Sequence, residues 1–178
     1  MYKFLKLVAV LSMIATLQGC TQSNWQTARR DSAGIAPPAE ATSEAVLQVY
    51  GADVFGWRGL FAIHTWIAAK PTGANSYTVY EVIGWRANRG LPALVIRKDL
   101  PDRYWFGAEP ELLVEHRGEG VDDLIAAVDT AARNYPWANE YRLFPGPNSN
   151  TFPSWVAEQV PALDLDLPLS AIGQSWRP

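Results

Sequence analysis

Hydrophobic and polar positions follow two different periods along the chain, short runs of β type first and helical runs later. Val46-Leu47-Gln48-Val49-Tyr50 is strand-like, and Asp53 to Gly59, with glycines among bulky aromatics, reads as a turn. Leu60 to Lys70 and Tyr77 to Trp85 are rich in β-branched and aromatic residues and flank Pro71-Thr72-Gly73-Ala74-Asn75-Ser76, which predicts a hairpin. Ala93 to Arg97 and Glu111 to Glu115 predict further short strands, and Tyr141 to Phe144 one more. In Val121 to Asn134 the period changes: Leu124, Ile125, Val128, Ala131, Ala132 and Tyr135 recur at helical spacing, Asp122 and Asp123 suit the positive first turn, and Pro136 is the stop. Phe152 to Val160 predicts a second helix, with Pro153 tolerated in its first turn and Pro161 closing it; the tail from Ala162 reads as extended. Strands followed by helices, without βαβ alternation, predict an α+β domain with a mostly antiparallel sheet and two main helices.

Composition narrows the function classes. The 178 residues are 48% hydrophobic and 19% charged with a net charge of -3, which suits one globular domain and gives no basic surface for nucleic acid. Cys20 is the single cysteine and His64 and His116 the two histidines, so neither a disulfide framework nor a Cys/His metal site is expected, and no cofactor. The pair Asp164 and Asp166 has a spacing seen in metal sites but lacks a supporting ligand cluster.

The first residues carry a different signal. Lys3 and Lys6 precede the apolar run Leu7 to Leu17, too short to span a bilayer stably, and the run ends in Leu17-Gln18-Gly19-Cys20. This resembles a bacterial lipoprotein signal, which implies cleavage after residue 19, acylation of Cys20 and attachment to a membrane by several chains. Thr21 after the lipid site resembles the pattern of outer-membrane sorting, so the expected location is the cell envelope, on the periplasmic face of the outer membrane. Residues 20–45 hold Ser, Thr, Ala, Gln and Pro without apolar period and predict a flexible tether; residues 46–178 predict the folded domain.

Chemistry concentrates at a few positions. On the first hairpin strand Leu60, Ala62, His64, Trp66 and Ala68 share one face, and Phe61, Ile63 and Ile67 take the other. A direct join of Lys70 to Tyr77 sets His64 opposite Ile83 and makes Glu81 its diagonal neighbour, about 7 Å away at the backbone. A slip of one residue substitutes Tyr80, and the sequence leaves both registers open. Ser149 stands where a Pro- and Asn-rich turn feeds a helix, and NH groups around Asn150 to Phe152 are candidates for an oxyanion site. A serine nucleophile needs a base, for which His64 is the better placed histidine; a plain helix cap is the competing reading of the same serine. His116, flanked by charges at a strand end, reads as solvated, and Trp66, Trp85 and Trp155 as core.

Trp57-Arg58-Gly59, His64-Thr65-Trp66-Ile67, Tyr104-Trp105-Phe106-Gly107 and Pro145-Gly146-Pro147-Asn148-Ser149-Asn150-Thr151-Phe152 together resemble the bacterial domain-of-unknown-function family numbered 3750, over about Val46 to Trp176. A remoter resemblance is to circularly permuted papain-like proteins, the lecithin retinol acyltransferase-like and NlpC/P60-like enzymes, in which a strand histidine precedes a late helix-start motif of the form Asn-Cys-x-x-Phe. That resemblance implies His64 as base, Ser149 in the nucleophile position in place of cysteine, Glu81 or Tyr80 as the orienting group, and Asn148, Asn150 and Thr151 around the oxyanion pocket. The functional expectation is an acyl hydrolase or acyltransferase acting on an amide or ester, with peptidoglycan or lipid as substrate. A non-catalytic envelope module binding a ligand in the same groove is the alternative.

Overall fold

The computed structural model describes residues 24–178; the expected leader and the expected lipidation site at Cys20 lie outside the described residues. Five strands, β1 (Val46–Asp53), β2 (Ile63–Lys70), β3 (Thr78–Val82), β4 (Leu94–Lys98) and β5 (Glu111–Arg117), form one antiparallel sheet in the order β4-β3-β2-β1-β5. The helices are a single turn, α1 (Gly84–Ala87), then α2 (Val121–Arg133) and α3 (Thr151–Gln159). The chain is thus α+β, as its periodicities predict.

Both faces of the sheet are covered, which explains why β1 and β2 are buried almost end to end rather than on alternate residues. On one face Leu47, Val49, Ile67, Ala69, Tyr80 and Val82 pack against Ile125, Val128 and Ala132 of α2 and Phe152 and Val156 of α3. On the other, Val46, Tyr50, Ala52, Trp66, Ala68 and Val79 form a second core with Tyr77 and Trp105.

That second face is closed by chain expected to be a free tether. The carboxylate of Asp102 accepts hydrogen bonds from the Ser32 hydroxyl and from the backbone NH groups of Ile35 and Ala36, at 2.8, 2.6 and 3.0 Å. Tyr104 NH donates to Asp31 O, and the Tyr77 hydroxyl to Pro37 O. A segment held by backbone bonds to a side chain far along the chain has no hydrophobic period, so its composition alone reads as linker.

Other differences are local. Tyr141 to Phe144 forms no strand; Tyr141 instead lays its ring against Gly84, where an added Cβ would come within 2.5 Å of a ring carbon. The expected strand Leu60–Lys70 begins only at Ile63, because Gly56–Leu60 coils into a 3-10 turn, and Tyr77–Trp85 ends early where α1 begins. His116 is part-buried rather than solvated and bonds the Leu163 carbonyl at 2.9 Å. Trp66 is core, but Trp85 is exposed.

Candidate functional site

β3 pairs with β2 in the register Ile67↔Tyr80 and Ala68↔Val79, which is the direct join of the hairpin and not the slipped one. Tyr80 therefore faces the helices, where its hydroxyl donates to Asp129 at 3.0 Å, and Glu81 faces the side of His64. The two meet: His64 Nε2 lies 3.3 Å from Glu81 Oε2.

Glu81 is fully buried and is the centre of a charge network. Arg103 Nη2 donates to the same Oε2 at 2.6 Å, and Arg97 Nη2 stands 3.2 Å from Oε1, close enough for charge pairing but not aligned as a hydrogen bond. Asp99 binds Arg97 through Nε and Nη2 at 3.0 and 2.6 Å and approaches Arg103 Nη1 at 3.8 Å. Burial pushes the Glu81 carboxyl up, but the hydrogen bond from His64 and the charges of Arg103 and Arg97 outweigh it and hold the group below the usual carboxylate range. Burial pushes His64 down, the hydrogen bond with Glu81 only partly restoring it. The imidazole is accordingly neutral at neutral pH. Because an ionised carboxylate can only accept, Nε2 carries the proton, and Nδ1 is left as an acceptor that no group among the described residues engages.

Aromatic rings fix this imidazole. It stacks on Trp105 with centroids 3.6 Å apart and planes 10° off parallel, and lies 5.7 Å from Trp66, whose indole NH donates to Pro101 O. Trp85 and Phe106 extend the stack outward from Trp105. Arg103 and Asp99 escape a reading based on hairpin phase because they belong to the loop after β4; the one available signal is that Arg103 adjoins the Tyr104-Trp105-Phe106-Gly107 run.

Ser149 does not join this group. Thr65, the next residue along β2, points to the helical face, and its hydroxyl donates to Asn150 Oδ1 at 3.0 Å and lies 3.2 Å from Ser149 O. Successive side chains of a strand leave opposite faces, so His64 and Ser149 are separated by the sheet itself. The expected base–nucleophile pairing is therefore absent, and the Ser-His-Glu arrangement reduces to His64 and Glu81.

The rest of the helix-start motif is engaged in structure. Asn148 Oδ1 accepts from the NH groups of Asn150 and Thr151 at 2.9 and 3.2 Å, two of the donors expected around an oxyanion between Asn150 and Phe152, so Asn148 caps α3 from outside. Its amide donates to Leu143 O and Ile172 O, both at 3.0 Å. Gly173, at φ 91°, touches the Asn148 amide, leaving no room for a Cβ. Asn150 Nδ2 donates to Ile63 O and Ile172 O, and the Thr151 hydroxyl to Gly173 O, tying helix start, strand and C-terminal segment together. Asp164 takes a left-handed conformation after the turn Pro161–Leu163, and among the described residues no three His, Cys, Asp or Glu side chains gather as a metal site.

Residues 44–176 match the family model described as Protein of unknown function (DUF3750), and the chain belongs to that family. No curated protein and no solved structure matches it.

Proposed function

We propose that this DUF3750 member is a lipid-anchored protein of the bacterial cell envelope that binds a ligand without cleaving it. The observation that carries the non-catalytic reading is the separation of Ser149 from His64 by the sheet, together with the use of the Asn150 and Thr151 NH groups by Asn148. A serine without a base is a poor nucleophile, and an oxyanion needs donors that are not already bonded. The anchor reading rests on Lys3, Lys6, the apolar run to Leu17 and Cys20.

Two experiments test it. Metabolic labelling with a fatty acid is expected to mark the wild-type chain and not Cys20→Ser. A fluorophosphonate probe is expected to give no labelling that depends on Ser149. Labelling that disappears in a correctly folded Ser149→Ala protein would overturn the binding-module reading and restore the hydrolase.

A further inference from the structure

The outer end of the aromatic stack opens onto an unusual surface. The β1–β2 connection and the β3–β4 connection lie at one end of the sheet, since Asp53 pairs with Ile63 and Val82 with Leu94. Residues 141–144 join the same end, through Tyr141 against Gly84 and through Asn148, whose amide binds Leu143 O while its neighbour Asn150 binds Ile63 O. Trp57, Leu60, Phe61, Trp85, Leu143 and Phe144 are all exposed there, Trp57 at 75% and Leu60 at 79%. Exposed apolar side chains gathered in this way mark an interaction surface.

The N-terminal segment supplies the occupant. Arg30 stacks its guanidinium 4.2 Å over Phe106 and also bonds the Trp25 carbonyl; Phe106 in turn contacts Phe55 and Trp85. The chain therefore enters the fold beside this rim. Asn24 is four residues after Cys20, a reach of about 14 Å at full extension. Acyl chains on Cys20 would hold a bilayer next to the rim and not next to the opposite end of the sheet, which carries Glu44 paired with Arg117, and Glu119, Asp122 and Asp123 around the start of α2. Exposed Arg58, Arg89 and Arg142 stand at the rim end, with Glu140 beside Arg142 and with Asp53 and Glu111 on its β1–β5 side. Tryptophan, phenylalanine and leucine with interspersed arginine is the composition of a surface that sits at the headgroup boundary of a bilayer.

We propose that this rim is a membrane-docking surface that lays the domain directly on the bilayer holding its own lipid anchor; the proposal rests on the anchored reading above. The test uses the full lipidated protein in vesicles of phosphatidylethanolamine and phosphatidylglycerol, with plain or brominated acyl chains. Tryptophan emission should be quenched by the brominated chains. Quenching should fall about twofold in Trp57→Ser and further in Leu60→Ser/Phe61→Ser, with flotation and melting temperature unchanged, since these side chains are exposed. Protein that floats with the vesicles but emits equally in plain and brominated lipid would overturn docking while leaving the anchor intact. Protein that neither floats nor carries lipid mass on Cys20 would overturn the anchor, and docking with it. Self-association of the lipidated protein that Leu60→Ser/Phe61→Ser abolishes, without quenching, would assign the rim to a second copy of the chain and overturn docking.

Discussion

His64 and Thr65 are adjacent on one strand, yet they enter two regions built on different physics. On the Thr65 side a few uncharged amides and hydroxyls, Asn148, Asn150 and Thr151, bind backbone carbonyls and NH groups with their donors and acceptors matched. On the His64 side a buried carboxylate is shared between two arginines and an imidazole, and two atoms, Glu81 Oε1 and Arg103 Nη1, lack an aligned partner. Neutral amides have fixed geometry and can be satisfied completely by short local loops. Buried charges demand compensation in both sign and direction, and a cluster that meets the first need only partly meets the second. A motif that looks catalytic in sequence is therefore the structural pin; the Tyr135 hydroxyl in the helical core is also without a partner among the described residues, so what distinguishes the His64 side is that its unaligned atoms carry charge.

Removing the centre of the charged side should give the largest effect. Glu81→Ala leaves Arg103 buried with only Asp99 near it, at 3.8 Å, and takes the hydrogen-bond partner from His64, while Arg97 keeps Asp99; a loss of about 3–5 kcal/mol is expected in urea unfolding. On the neutral side Asn148→Ala removes a helix cap and the donor to the Leu143 carbonyl, while Ile172 O keeps the Asn150 amide, for an expected loss of about 1–2 kcal/mol. If Asn148→Ala proved the more damaging of the two, the contrast drawn between the faces would be reversed.

A smaller effect separates the faces by pH. His64 ordinarily titrates near 6.5, and burial holds it lower in the folded protein, so between those values the unfolded chain binds a proton that the folded one does not. Its contribution is fully present above about pH 6.5 and is lost as acidification carries the medium down toward the folded value. Glu81, held below its ordinary 4.5, loses its contribution at lower pH, as the medium falls from that value through the folded one. Melting temperature should thus decline on mild acidification, and His64→Gln, which removes the titrating ring, should flatten the first part of that decline. The smallest effect is expected of Ser149→Ala, whose hydroxyl makes no hydrogen bond among the described residues. Its stability should stay within about 0.5 kcal/mol of wild type by thermal melting; a loss several times larger would mean that the hydroxyl has a partner after all.

The α+β class was legible because short runs rich in β-branched and aromatic residues between turn residues mark strands, and burial of one face imposes a period of 3.6 on helices. Val121 to Asn134 shows the helical period clearly enough that α2 ends one residue before Asn134, its expected last residue. The His64–Glu81 contact was legible as well, since a hairpin join relates residues through local geometry, although only the folded sheet distinguishes Glu81 from Tyr80. Tyr141 to Phe144 misled for the converse reason: its aromatic content suits a strand, but the contact that claims Tyr141 is with Gly84, distant in sequence.

What the sequence determined by itself was the five strands and the two longer helices, their order, and the alternation that puts His64 and Thr65 on opposite faces. Which face received the Asn148–Thr151 helix start was decided only in tertiary structure, because the turn after α2 and the C-terminal segment around Ile172 and Gly173 place it. The same holds for Arg103 and for the segment from Asp31 to Pro37, which cover the His64 face through ion pairs and backbone hydrogen bonds. Side-chain periods encode which residues are buried; they carry no record of which distant polar groups will satisfy one another once the chain has closed.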